Sequence, residues 1–103
     1  MEQVYQAVEA AKKSGKICKG ANEVTKALEK GKAKFVTYAK DVSPAEIVMH
    51  LPILAKEKGV LCIEVESKQE LGVAAGIPVG TTAVAILEEG DAKEIIKGLS
   101  KKD

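Results

Sequence analysis

The sequence predicts an α/β fold, a three-layer α/β/α sandwich with a small mixed central sheet. Three observations carry that prediction. Apolar residues recur at three-to-four spacing in segments that alternate with short runs rich in β-branched residues. The connections are only a few residues long and are punctuated by Gly, Ser, Asp and Pro. The length of 103 residues, 46% of them hydrophobic, suits one core. Residues 1–103 read as a single domain without an internal repeat, linker or low-complexity stretch.

Val4, Ala7, Val8 and Ala11 place one apolar face on a helix over residues 2–14, closed by Ser14-Gly15 with lysines in its last turn. Ile17-Cys18-Lys19 reads as a short strand. A second helix runs from about Ala21 to Lys30, with Val24, Ala27 and Leu28 inward and Gly31 as its stop. Asn22 or a neighbour is expected to cap it. Lys34–Ala39 is strand-like. Ser43 is a good N-cap and Pro44 fits a first helical position, so a third helix runs through Ile47, Val48, Leu51 and Leu54 to Gly59. Pro52 inside it predicts a kink or a broken turn. Val60–Val65 is a continuous apolar strand, expected at the centre of the sheet. Ser67-Lys68-Gln69-Glu70 is a capping box opening a short helix to Ala75. Gly76–Gly80 is a constrained loop, and Thr81–Leu87 the last strand. Asp91 is expected to cap a final helix through Leu99, with residues 100–103 fraying.

The net charge of +1 conceals segregation. Residues 12–40 carry nine Lys and two Glu, whereas residues 41–103 carry seven Lys and eleven acids. A basic third within a near-neutral chain points to a localised anionic partner. Every basic residue is Lys, so phosphate contacts would be point charges, not bidentate forks. Cys18 and Cys62 lie outside any metal or redox spacing and read as reduced thiols, Cys62 buried in its strand. That usage, no apolar run long enough for a bilayer, and an N-terminus unlike a signal peptide predict a cytoplasmic protein with no membrane partner.

Chemistry of the catalytic kind is not evident. The glycines at 72, 76 and 80 match neither a dinucleotide fingerprint nor a Walker loop. His50 is the one His and has no nucleophile or orienting carboxylate beside it, so a satisfied helix-face histidine is favoured over a general base. No set of ligands has metal spacing, and no carboxylate pair calls for acid–base work. The expectation is a binding protein, with no catalytic residue, no metal and no cofactor.

The informative stretch is Gly20-Ala21-Asn22-Glu23-Val24-Thr25-Lys26. Gly20 lets backbone come close to a partner. Asn22, Glu23 and Lys26 fall on the first helical turn, where an amide, a carboxylate and an ammonium share one patch. On their own they admit a plain reading: a helix cap, a first-turn acid complementing the dipole, and a solvated lysine face.

This stretch resembles the signature of the L7Ae family of ribosomal and ribonucleoprotein proteins, which bind kink-turn RNA. Ala39–Ile47, His50-Leu51-Pro52, Ser67–Gly72 and Ala74-Ala75-Gly76 resemble further family blocks in the same order, so the likeness covers roughly residues 4–99. Their style is that of the archaeal branch. The resemblance implies an α/β/α sandwich and a non-enzymatic RNA binder. It implies that Lys19, Gly20, Asn22, Glu23 and Lys26 meet the tandem sheared G·A pairs of the kink-turn. Such a pair leaves the Watson–Crick N–H groups and O6 of guanine free. Glu23 can accept from the former and Lys26 can donate to O6 or N7. A carboxylate set among lysines favours base reading over simple phosphate attraction. The sharp bend opens a groove otherwise too narrow for side chains.

By the same resemblance, Ile77, Pro78 and Val79 form a stiff apolar loop that covers the base flipped out at the bend. The common family form carries a charge in this loop and this chain does not. Lys68 matches a position near the phosphates. Asp41 matches one close to the binding face, where it would orient Lys26 or Lys19. The partners implied are kink-turn RNAs: ribosomal RNA of the large subunit, box C/D and H/ACA guide RNAs, with ribonuclease P RNA as a further candidate. Ribonucleoprotein partner proteins join them, and the free chain is expected to be a monomer. The alternative is a protein–protein or small-ligand module on the same fold; a hydrolase or transferase using His50 is the third.

Overall fold

In the computed structural model, which describes residues 2–42 and 46–100, ten short segments alternate much as the periodicity predicts. The helices are α1 (Glu2–Ser14), α2 (Ala21–Glu29), α3 (Glu46–Glu57), α4 (Lys68–Ala74) and α5 (Lys93–Ser100). The strands are β1 (Lys16–Lys19), β2 (Phe35–Ala39), β3 (Leu61–Val65) and β4 (Ala83–Glu88). The sheet order is β1-β4-β2-β3. Pairing is antiparallel between β1 and β4 and between β4 and β2, and parallel between β2 and β3, so the sheet is mixed. The parallel pair requires a crossover, which α3 supplies. α1, α4 and α5 pack together on one face and α2 and α3 on the other, giving the three layers expected.

Both faces of the sheet are therefore covered. Phe35, Val36, Val84 and Ile86 are fully buried at its centre. Val4, Ala7, Val8 and Ala11 seal it from the α1 side, and Val24, Leu28 and Leu51 from the other. Each large aliphatic side chain buried this way contributes roughly 1.5–3 kcal/mol. Thr37 is also buried completely, and its Oγ1 has no hydrogen-bond partner among the described residues.

Several expectations change. β3 is an edge strand, not a central one. Its continuous apolar run reports cover on both faces, and that pattern carries no information about who lies beside the strand. Cys62 is accordingly half-buried, in line across the sheet with Ala85, Val36 and Cys18. Three inter-strand steps separate the two cysteines by about 14 Å, beyond disulfide reach. Burial pushes the Cys62 thiol up to about 12, with Glu64 adding to the shift, and burial also raises Cys18.

α3 runs unbroken through Pro52, so no turn is lost there. Asp91 caps nothing: it sits inside a 3-10 turn, Gly90–Ala92, that leads straight into α5. Its N–H donates to Ser14 Oγ at 2.7 Å, which fixes the start of this segment to the end of α1. The Ser43 cap, Pro44, the side chain of Ile47 and residues 101–103 lie outside the described residues.

Candidate nucleic-acid interface

The topology gathers the candidate residues at one end of the sheet. β1, β2 and β3 finish there and β4 begins there. The four junctions at this end are therefore neighbours: Lys19-Gly20 leading into α2, Lys40-Asp41 after β2, Glu66-Ser67-Lys68 leading into α4, and the loop 76–82 before β4. All ten residues singled out in the sequence belong to these junctions or to the helices they open, Lys26 lying one turn further along α2.

The start of α2 is built without a cap of its own. Gly20 is the N-cap residue, at φ 93° and ψ 145°, with no side-chain hydrogen bond. A Cβ there would meet nothing within 4 Å, so the glycine answers a backbone conformation that L side chains avoid. Gly20 N–H donates to Ala83 O at 2.8 Å, and Ala21 N–H donates to Thr82 Oγ1 at 3.1 Å. The cap expected from Asn22 thus comes from Thr82, at the entry to the neighbouring strand β4. Asn22 is left exposed with its amide unspent. Glu23 and Lys26 are exposed beside it, with Lys26 Nζ 4.0 Å from Glu23 Oε1. A pair so solvated is worth at most a few tenths of a kcal/mol, and a ligand can exchange it for its own donors and acceptors at little cost.

Behind this turn, Thr25 Oγ1 lies 2.7 Å from Ala21 O and 2.6 Å from His50 Nε2. The hydroxyl has one hydrogen, so with Ala21 O accepting it, His50 Nε2–H is the donor to Thr25. His50 braces α3 against α2, as expected of a satisfied histidine.

The other side of the site is α4 with its loop. Ser67 caps α4, accepting from Glu70 N–H at 3.2 Å. Tyr5 of α1 reaches the same turn; burial raises its phenol above the ordinary value, and the nearby Glu70 raises it further. Asp41 Oδ1 accepts from Lys68 N–H at 2.8 Å. Asp41 therefore orients the start of α4, not Lys26 or Lys19 as the resemblance implied. Lys68 O accepts from Thr81 N–H and Gly72 O from Ile77 N–H, both at 3.0 Å, so the loop is stitched down at each end. Gly72 permits the approach, since a Cβ on it would lie 2.2 Å from Val79 O. Ile77 is half-buried, Pro78 exposed, and Val79 68% exposed, a rigid apolar tip.

The result is one surface with two chemistries. Lys19, Asn22, Glu23 and Lys26 offer polar groups at a helix start whose dipole is positive. Ile77, Pro78 and Val79 offer an apolar platform. Thr82 joins them, because it ends the loop and caps α2. Four lysines (Lys19, Lys26, Lys40, Lys68) face three acids (Glu23, Asp41, Glu66), so the end is close to neutral. Thr82, Gly72 and Lys40 escaped the sequence analysis. The Thr81-Thr82 pair read as the start of a β-branched strand, and its bond to Ala21 spans 61 residues.

Nothing assembled here is catalytic. Among the described residues no group of three or more His, Cys, Asp or Glu could hold a metal ion, and no described helix is long and apolar enough to cross a membrane. Residues 2–96 match the ribosomal protein L7Ae/L30e/S12e/Gadd45 family. The fold superposes on the Giardia lamblia 15.5kD RNA binding protein with a TM-score of 0.88, at 32% identity, over 98% of this chain and 84% of that one. With nearly its whole length matched and the fold in agreement, the chain belongs to the L7Ae/L30e/S12e/Gadd45 family, as its motifs implied.

Proposed function

We propose that this chain is a non-enzymatic kink-turn RNA binder that nucleates ribonucleoprotein assembly in the cytoplasm. The observation that carries this reading is the joining, through the Thr82 cap, of a polar helix start to a stiff apolar loop. Guanines exposed by sheared G·A pairing need the first, and an unstacked base needs the second. The relative of known structure is itself an RNA-binding protein.

The homes that fit are the large ribosomal subunit and the box C/D and H/ACA guide particles. The mechanism is a population shift: free RNA samples extended and kinked forms, and the protein favours the kinked one. Salt should weaken binding less than for a pure phosphate binder, since the surface is nearly neutral and base contacts share the load. Partner proteins would find apolar surface on α3, where Met49 and Ile53 are 60% and 65% exposed four residues apart. Any chemistry on the RNA would belong to those partners.

The test is a gel shift with a kink-turn RNA and with the same RNA after replacement of its G·A pairs. Strong preference for the first is expected, and Glu23→Ala should abolish that preference. Equal affinity of the wild-type protein for both RNAs refutes kink-turn recognition.

A further inference from the structure

The charge segregation in the sequence is not explained by the site just described. That end of the sheet is close to neutral, while most lysines of the basic third lie elsewhere. The opposite end is where they collect. β2 and β3 are parallel neighbours with Phe35 opposite Leu61, so the segments entering them lie side by side, about 4.8 Å apart in the sheet direction. These segments bring Lys30, Lys32 and Lys34 from the end of α2 next to Lys56 and Lys58 from the end of α3. All five are exposed. None makes an ion pair: among the described residues the pairs are Lys16–Glu88 and Lys26–Glu23. The acids on these segments are Glu29 and Glu57, and the neighbouring β4 ends at this pole with Glu88, the partner of Lys16, and Glu89.

Both segments are held by backbone bonds. Lys32 N–H donates to Ala27 O at 2.9 Å and Lys34 N–H to Ile86 O at 2.7 Å. Lys58 N–H donates to Leu54 O at 3.1 Å and Val60 N–H to Ala55 O at 2.8 Å. The ammonium groups therefore stand on a fixed base. Part of this charge complements the negative ends of α2 and α3. That role accounts for Lys30, Lys56 and Lys58, in or directly after the final turns, and leaves Lys32 and Lys34 unexplained.

We infer that this pole is a second RNA surface, one that grips the phosphate backbone of a neighbouring RNA helix without reading its sequence. The inference rests on the kink-turn function proposed above. The ligand class follows from what the pole contains and lacks. Its charge is point-like and positive. It has no Asn, the chain's one Asn being at the other end, and its one aromatic side chain, Phe35, is fully buried and cannot stack a base. The RNA is a second segment because α2 points its start at the first. Its nine residues run away from that contact for about 14 Å, and the lysine segments lie beyond them. That distance exceeds the screening length of about 8 Å at physiological salt. The protein would thus hold two RNA helices at opposite ends of one sheet.

The experiment first measures kink-turn preference as above, which decides the primary function by itself. Protein saturated with a short unlabelled kink-turn RNA is then titrated with a labelled plain A-form duplex at low salt. A one-to-one-to-one complex is expected, with log–log salt dependence near −2.7 for about three phosphate contacts. The variant Lys32→Glu, Lys34→Glu, Lys58→Glu should lose at least about tenfold in duplex affinity and keep its kink-turn affinity within about twofold. If charge reversal impairs folding, judged by thermal unfolding, the Gln variants at the same positions should show a smaller loss of the same kind. Failure to capture the duplex overturns the inference, as does unchanged capture by the folded variants. Displacement of the duplex by poly-glutamate as readily as by unlabelled duplex also overturns it, in favour of an acidic protein partner.

Discussion

Thr82→Val is the substitution that bears most directly on how the site is held. Val matches Thr in shape but removes the hydroxyl that accepts Ala21 N–H at 3.1 Å. Gly20 brings no side chain to replace it. Water can reach this part-buried donor in part, so the loss should resemble that of an N-cap, about 1 kcal/mol. For a chain of this size that is a fall of roughly 4–8 °C in Tm. The consequence for binding should be separable. With the bond gone, Gly20 N–H to Ala83 O is the one hydrogen bond among the described residues that joins the start of α2 to the strand beyond the loop. Affinity for kink-turn RNA should fall about fivefold, with a smaller fall for RNA lacking the G·A pairs. Thr82→Ser, which retains the acceptor, should recover most of both. Thermal unfolding and a paired gel-shift titration read the two effects. Unchanged Tm and affinity in Thr82→Val, or equal losses in Thr82→Ser, would refute the coupling.

Three other outcomes follow from the packing. Gly72→Ala should destabilise by about 1–3 kcal/mol and weaken RNA binding, because its Cβ meets Val79 backbone 2.2 Å away, whereas Gly98→Ala on α5, with nothing within 4 Å, should stabilise by about 0.5–1 kcal/mol; urea unfolding compares the signs. Thr37→Val should be neutral or stabilising by up to about 1 kcal/mol, since the Thr37 hydroxyl is buried without a partner, and a loss above about 1 kcal/mol would reveal one. Cys62 should resist alkylation at pH 8 in the folded protein and react on unfolding. Because its folded pKa is raised from 9.0 to about 12, its stabilising contribution is complete below pH 9 and is lost as pH rises toward 12, so Cys62→Ser should flatten the alkaline fall in Tm.

Local signals were legible and long-range ones were not. Val24, Ala27 and Leu28 announced α2 and its buried face, and the contiguous Gly20–Lys26 stretch announced one half of the site. Ser67 announced its own cap. The position of β3 was hidden because Leu61, Cys62 and Ile63 describe what lies above and below a strand, never what lies beside it. Asp41 and Asp91 were each assigned a nearby task. Asp41 instead serves Lys68, 27 residues on, and Asp91 offers its N–H to Ser14, 77 residues back. The loop Ile77–Val79 could be tied to the site only through family resemblance, since no periodicity brings it beside α2. Thr82, which does so physically, looked like any β-branched residue entering a strand.

The working end of the molecule hangs from the two margins of its sheet. α2 departs from β1 and α4 from β3, and each of these strands has a neighbour on one flank alone. What steadies α4 is a set of clasps reaching outward: Lys40 N–H to Val65 O, Asp41 to Lys68, and Thr81 N–H to Lys68 O. Together with the bonds from Gly20 and Ala21 to Ala83 and Thr82, these clasps brace the polar and apolar halves against one another, so the two jaws hold one spacing and favour bends of one pitch.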